Sequence, residues 1–205
     1  LKRFYNSAMV RGTAIIANSQ WTADHIAREY GIERARITII PRGVDLKTFD
    51  PAAVSPERVS ELRTQWGVKD GELVILLPGR LTRWKGQLVL IEALKQLDLP
   101  NARAILAGDA QGRDAYESEL RDAAKGLKIV IVGHVRDMAA AYLAADIVVS
   151  ASTDPEAFGR VAAEAGAMGR AVIATDHGGA RETVVAEVTG LLTPPGDAAA
   201  LACAI

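Results

Sequence analysis

The sequence holds a single cysteine, Cys203, in 205 residues. That excludes an internal disulfide framework and every Cys-x-x-Cys metal or redox motif, and it favours a reducing compartment. No apolar run approaches the ~20 residues that cross a bilayer, and the first residues lack the apolar core of a signal peptide. The expectation is a soluble, cytoplasmic chain. No Gly-x-Gly occurs, so the glycine turn that lets a dinucleotide pyrophosphate approach the backbone is not provided. A nicotinamide oxidoreductase, which would share the architecture inferred below, therefore ranks low. An excess of positive charge is missing too. The net charge is -1, and lysines and arginines alternate with acids, so nothing favours nucleic acid.

What is present is an ordinary globular balance, 49% apolar and 24% charged, in enough chain to bury a core. Short β-branched runs are repeatedly followed by amphipathic stretches that end in glycine, which is the rhythm of an α/β fold. A first block has an apolar run from Thr13 to Ala17. A helix follows from about Gln20, capped by Ser19 and stopped at Gly31, and then a strand near Arg36 to Ile40. The proline- and glycine-punctuated segment 42–56 reads as a crossover linker. A second block carries strands near Leu73 to Leu77, Ala102 to Ala107, Lys128 to Val132, Asp146 to Ser150, Ala171 to Thr175 and Gly190 to Thr193, with helices between them. One helix is expected from Lys85 to Asp98, with Leu90, Ile91, Leu94 and Leu97 on its core face and Glu92 and Lys95 opposite.

A run such as Leu73-Val74-Ile75-Leu76-Leu77 has no polar face, so it needs a parallel sheet covered on both sides. The fold class is a Rossmann-like, doubly wound parallel sheet with helices on both faces. In the order 3-2-1-4-5-6, strands one and four adjoin where the winding reverses, and ligands bind beyond their carboxyl ends. Strand one delivers the loop from Pro78 to Gly86, with Arg80, Arg83 and Lys85 at a helix start, where bare amides and the helix dipole favour an anion. Taken singly, each cation reads better as a solvated loop residue, and it is their joint placement after strand one that favours an anion site. The loop is not a Walker motif, because Trp84 precedes the lysine and Gly86 follows it. Strand four delivers Thr153 to Arg160. Glu156 lies before the next helix and Glu164 within it; on a continuous helix they would differ by about 12 Å in height and about 80° in direction. The small or apolar neighbours Val161, Ala162, Ala163, Ala165 and Met168 argue against Glu164 being a mere surface residue. Among the histidines, His25 reads as structural, His134 after strand three equally as a packed loop residue or as a backbone contact to the nucleotide, and His177, near the sheet mouth, as a minor candidate. Trp21, Trp66 and Trp84 read as core or loop anchors.

Five blocks occur in order: Pro78-Gly79-Arg80 through Lys85-Gly86, Gly133-His134-Val135, Glu156-Ala-Phe-Gly-Arg-Val-Ala-Ala-Glu164, Gly178-Gly179-Ala-Arg-Glu182, and Thr189 through Gly196-Asp197. Together they resemble the family 4 retaining glycosyltransferases of GT-B fold, from about Thr13 onward. The resemblance implies that residues 1–41 end an acceptor-side N-terminal domain, that 42–56 link the domains, and that 57–205 bind a nucleoside-diphosphate sugar, the chain being a piece of a longer protein. It implies Arg80 and Lys85 on the diphosphate, Glu156 on hydroxyls of the transferred sugar and Glu164 on the ribose. Gly79, Phe158, Gly159 and Arg160 would line the sugar and phosphates, and Val135 would lie beside the base. Arg80, Lys85 and Glu156 are thus the catalytic candidates, and losing either cation should cost far more turnover than stability. No metal or cofactor is implied. The implied partners are the nucleotide-sugar donor and an acceptor sugar, lipid or small molecule held by the rest of the N-terminal domain, which would also make any peripheral membrane contact. Arg181 stands where the family usually has proline. A sugar-nucleotide epimerase of the same build and a non-catalytic nucleotide-binding module remain as alternatives.

Overall fold

The computed structural model describes residues 7–205, so the first six residues of the expected domain remnant 1–41 lie outside the described residues. Two parallel sheets are formed. The first pairs β1 (Ile15–Ala17) with β2 (Ile37–Ile39), with Ile15 opposite Ile37. The helix between them, α1 (Gln20–Tyr30), is capped where the sequence placed its signals: Ser19 Oγ accepts from the Thr22 amide, and Gly31 closes the C-terminus. Both strands are shorter than expected, and β2 starts late because Arg34–Arg36 forms a 3₁₀ turn.

The second sheet has six strands: β3 (Leu73–Pro78), β4 (Ala102–Ala107), β5 (Ile129–Gly133), β6 (Ile147–Ser150), β7 (Ala171–Thr175) and β8 (Leu191–Thr193). Their order is β5-β4-β3-β6-β7-β8, all parallel. Counted within the sheet this is 3-2-1-4-5-6, so β3 and β6 adjoin at the reversal. Strand β3 shows why both faces had to be apolar. Val74 and Leu76 pack into one core with α2 (Pro56–Gln65), α5 (Met138–Ala144) and α6 (Arg160–Ala167); Ile75 and Leu77 pack into the other with α3 (Gln87–Lys95), α4 (Asp114–Ala123) and α8 (Ala198–Ala204). All four are essentially fully buried, each contributing about 1.5–3 kcal/mol. A short α7 (Ala180–Thr183) completes the helices described. Helix α2 begins at Pro56, the last residue of the expected linker.

One expected element needs correction. The helix expected from Lys85 to Asp98 starts at Gln87 and stops at Lys95. Arg83–Lys85 is instead a 3₁₀ turn, and Gly86, in the left-handed region, separates the two. Lys85 therefore sits on a loop with its own direction, and Leu97 packs from beyond the helix end.

The amino end of the sheet is tied by a charge cluster. Glu72 accepts from Arg103 Nε and Lys128 Nζ, both at 2.8 Å, and from the Lys69 amide at 3.0 Å. Bonding to Arg103, then to Lys128, holds its carboxyl far below the usual carboxylate range. A depressed folded pKa means this stabilisation is complete above the ordinary value of 4.5 and is lost as pH falls below it. Glu72→Gln is expected to lower stability at pH 7 and to flatten the decline in Tm between pH 5 and 3; an unchanged acid limb would refute the assignment.

Candidate functional site

The carboxyl ends of β3 and β6 meet through backbone. The Thr153 amide donates to the Trp84 carbonyl at 2.7 Å. Gly86, at φ 73°, lies so close to β6's exit that an added Cβ would fall 1.8 Å from the Ala151 carbonyl oxygen. Only glycine permits this approach. Buried Gln87 braces the turn from beneath by donating to the Arg80 carbonyl while accepting from the Tyr116 hydroxyl. The second loop is held in the same way. The Gly179 amide donates to the Glu156 carbonyl at 2.7 Å, and a Cβ on Gly178 would overlap Glu156 backbone at 2.6 Å. Arg181, in the usual proline position, forks onto Asp176 at 2.7 and 2.9 Å and so clasps the glycine turn with an ion pair.

Between these loops lies a cleft of about 530 Å³. Gly79, Arg80, Lys85, Val135, Glu156, Phe158, Gly159, Arg160 and Glu164 all line it. The nine residues singled out from the sequence are thus brought to one place, and Arg80 and Glu164 share a wall-to-wall space. Arg83 does not join them. Its guanidinium turns outward to Glu119 and over the Tyr116 ring at 5.1 Å. His134 and Trp84 line the cleft; His177 instead bonds the Ser152 carbonyl, His25 stacks on Trp21, and Trp66 is core.

The charges are graded. Lys85 Nζ lies 2.6 Å from Glu156 Oε1 and 4.4 Å from the centre of the Trp84 ring, and Ser152 Oγ donates to the same carboxylate oxygen at 2.6 Å. Arg160 Nε meets Glu164 Oε1 at 3.1 Å, and the Tyr142 hydroxyl donates to Glu164 Oε2 at 2.8 Å. The side chains of Arg80 and Arg42 are exposed at the cleft and make no ion pair or hydrogen bond among the described residues. Helix α6 starts here with no side chain capping its amides, so its first N–H groups are free for an anion. Two buried acceptors with no partner among the described residues, Asn18 Oδ1 and Asp109 Oδ1, also belong to lining residues.

Sequence reasoning missed several of these. Asp109 follows β4, so the switch-point rule could have flagged it. Asn18, Arg42 and Tyr142 carried no local signal. Tyr142 sits in α5, whose Asp137 caps the Ala140 amide and receives both Arg58 nitrogens at 2.8 Å; that Arg58 pairing lowers the Asp137 pKa. The first block reaches the second through Glu182, whose carboxylate accepts the amides of Gln20 and Trp21 at 2.7 and 2.8 Å, and through Thr22 Oγ1, which donates to the Ala157 carbonyl at 3.1 Å.

A doubly wound sheet in this order, with its cleft at the reversal, is a Rossmann-like fold that takes its ligand at the carboxyl edge. A crystal structure of a glycosyltransferase from Rickettsia africae matches 98% of this chain and 54% of its own at 37% identity, with a TM-score of 0.90. Anabaena HepE in complex with UDP and glucose matches 97% and 54% at 36% identity, with a TM-score of 0.87. The chain belongs to the family described as glycosyl transferases group 1, whose model matches residues 59–205, while residues 1–48 match that described as glycosyltransferase family 4. Among curated relatives, the D-inositol 3-phosphate glycosyltransferase of Xylanimonas cellulosilytica is 37% identical over 186 residues, which are 87% of this chain and 44% of that protein. The chain spans about half the length of the relatives it matches. No helix among the described residues is long and apolar enough to cross a membrane.

Proposed function

We propose that the chain is the donor-binding half of a retaining glycosyltransferase, and that its cleft holds a nucleoside-diphosphate sugar. The observation that carries this is the unpaired Arg80 sharing one cleft with Lys85, Glu156 and Glu164. Arg80, Lys85 and the first amides of α6 take the diphosphate and stabilise the charge that develops on it as the glycosidic bond breaks. Glu164 accepts from ribose hydroxyls, and Glu156, already steered by Lys85 and Ser152, accepts from the transferred sugar. The lone acceptors Asn18 Oδ1 and Asp109 Oδ1 suit a hydroxyl-rich ligand. Val135 flanks the base. The UDP bound by Anabaena HepE makes uridine the first base to try. The acceptor binds on the side of residues 1–41, completed by the remainder of the longer protein, and no metal has a role.

The test is a thermal-shift panel of UDP-, GDP- and ADP-sugars on the full-length protein, with release of nucleoside diphosphate followed in parallel. A ligand at a hundredfold its Kd should stabilise by roughly 2.7 kcal/mol. Stabilisation by one nucleotide class with sugar transfer supports the reading. No shift from any of them would refute it, and an epimerised free sugar as product would replace transfer by epimerisation.

A further inference from the structure

Glu164 is an acid in search of an orientation. Its two tethers differ in kind. The Arg160 side chain is 64% exposed, and exposed helix pairs of this spacing fix little, since solvent screens them and long side chains resist immobilisation. Tyr142 is 1% exposed, inside the core built on α2, α5 and α6, and it lines the cleft with its hydroxyl 2.8 Å from Glu164 Oε2. A hydroxyl donating to a carboxylate is a short, charge-assisted bond. The ring itself is steadied from the other side by Phe49 of the linker, whose centroid is 6.0 Å away at a tilt of 55°.

We propose that Tyr142 is a positioning residue for donor recognition: buried and braced by Phe49, it holds Glu164 so that the carboxylate's remaining lone pairs face the ribose hydroxyls. A carboxylate offers about four lone pairs; two are engaged by Tyr142 and Arg160, and two are left for a vicinal diol. Packing alone does not explain the hydroxyl, because phenylalanine would fill the same volume, and its bonding partner is the cleft's own acid. Burial and the neighbouring Glu164 carboxylate both push the phenol's pKa upward, so it remains a donor throughout the physiological range. The linker thereby bears on ribose discrimination through two side chains, Phe49 and Tyr142, that touch no ligand's reacting atoms.

The inference rests on the ribose role given to Glu164, and one experiment separates the two. On the full-length protein, calorimetry compares UDP, GDP and ADP, each with its 2′-deoxy counterpart, for the wild type, Tyr142→Phe and Glu164→Gln; donor KM and kcat are measured alongside. Wild type should prefer the ribonucleotide by about tenfold, the scale of one hydrogen bond to a charged group. Tyr142→Phe should bring that preference down to about that of Glu164→Gln and raise donor KM several-fold with kcat little changed. The preference is a ratio of affinities, so a loss of folded protein cancels from it. A wild type indifferent to the 2′-hydroxyl overturns the role of Glu164 and this inference with it. A wild type that discriminates, with Tyr142→Phe discriminating equally at unchanged KM, overturns only the positioning.

Discussion

Lys85→Ala in the full-length protein is expected to lower kcat by roughly 10²–10³-fold, the usual loss when one preorganised donor to a developing anion is removed. Lys85 is well placed for an effect of this size. Its ammonium and the Glu156 carboxylate are only 14% and 15% exposed, so their interaction is far less screened than in water, where a contact pair is worth about 1 kcal/mol. Under the proposed donor reading, removing the cation does two things: it withdraws positive charge from the diphosphate, and it leaves Glu156 without its ion-pair partner. It should also cost about 1–3 kcal/mol of stability, because among the described residues a shielded carboxylate then keeps Ser152 as its one remaining side-chain partner. Structure thus separates the two cations that the sequence treated alike, since Arg80 is unpaired and its loss should leave Tm nearly untouched. The double variant Lys85→Ala/Glu156→Gln should regain stability without regaining turnover. Steady-state kinetics with denaturation curves reads both, and near-normal kcat in Lys85→Ala would remove the residue from the mechanism.

Gly86→Ala is expected to be the most damaging single change to the fold of the site, at about 3–5 kcal/mol, within the range reserved for changes of identifiable mechanism. A left-handed φ alone costs an L-residue about 1–2 kcal/mol. The larger part is steric: the new Cβ would stand 1.8 Å from the Ala151 oxygen and 2.6 Å from its carbonyl carbon, both backbone atoms with no side chain to swing away. Relief requires parting the two turns, which also breaks the bond between Thr153 and Trp84. Urea denaturation should therefore show the loss, and nucleotide affinity measured well below Tm should fall with it. A variant as stable as the parent would mean that the turns are not in contact in solution.

Much of the architecture was written in local pattern. The unbroken apolar run at Leu73 reads as a strand covered on both faces, and from it follows the parallel sheet; the order of the strands, and with it the ligand edge, is the common one for such sheets. Ser19 and Gly31 marked their helix because capping is local chemistry. The site was legible wherever it lay on loops at the carboxyl ends of β3 and β6. It was not legible where contacts join distant segments. Nothing near Arg83 announces Glu119, 36 residues on, which draws it away from the cleft. The alanine-rich stretch around Tyr142 reads as core packing, and the one polar atom that makes it matter meets its partner 22 residues later. Local pattern puts Lys85 on a helix, because Gly86 shows as a glycine while the Ala151 carbonyl that demands it lies in a distant segment.

The first turn of α1 is moored at two points: its amides to Glu182 and its Thr22 hydroxyl to the carbonyl between Glu156 and Phe158. Segment 42–56 therefore cannot swing freely as a hinge. Opening means releasing three hydrogen bonds at once, on the order of a few kcal/mol, and one of those bonds ends on the loop that carries Glu156. Any movement of the first block would act there as a pull on the Ala157 peptide, the unit next to Glu156.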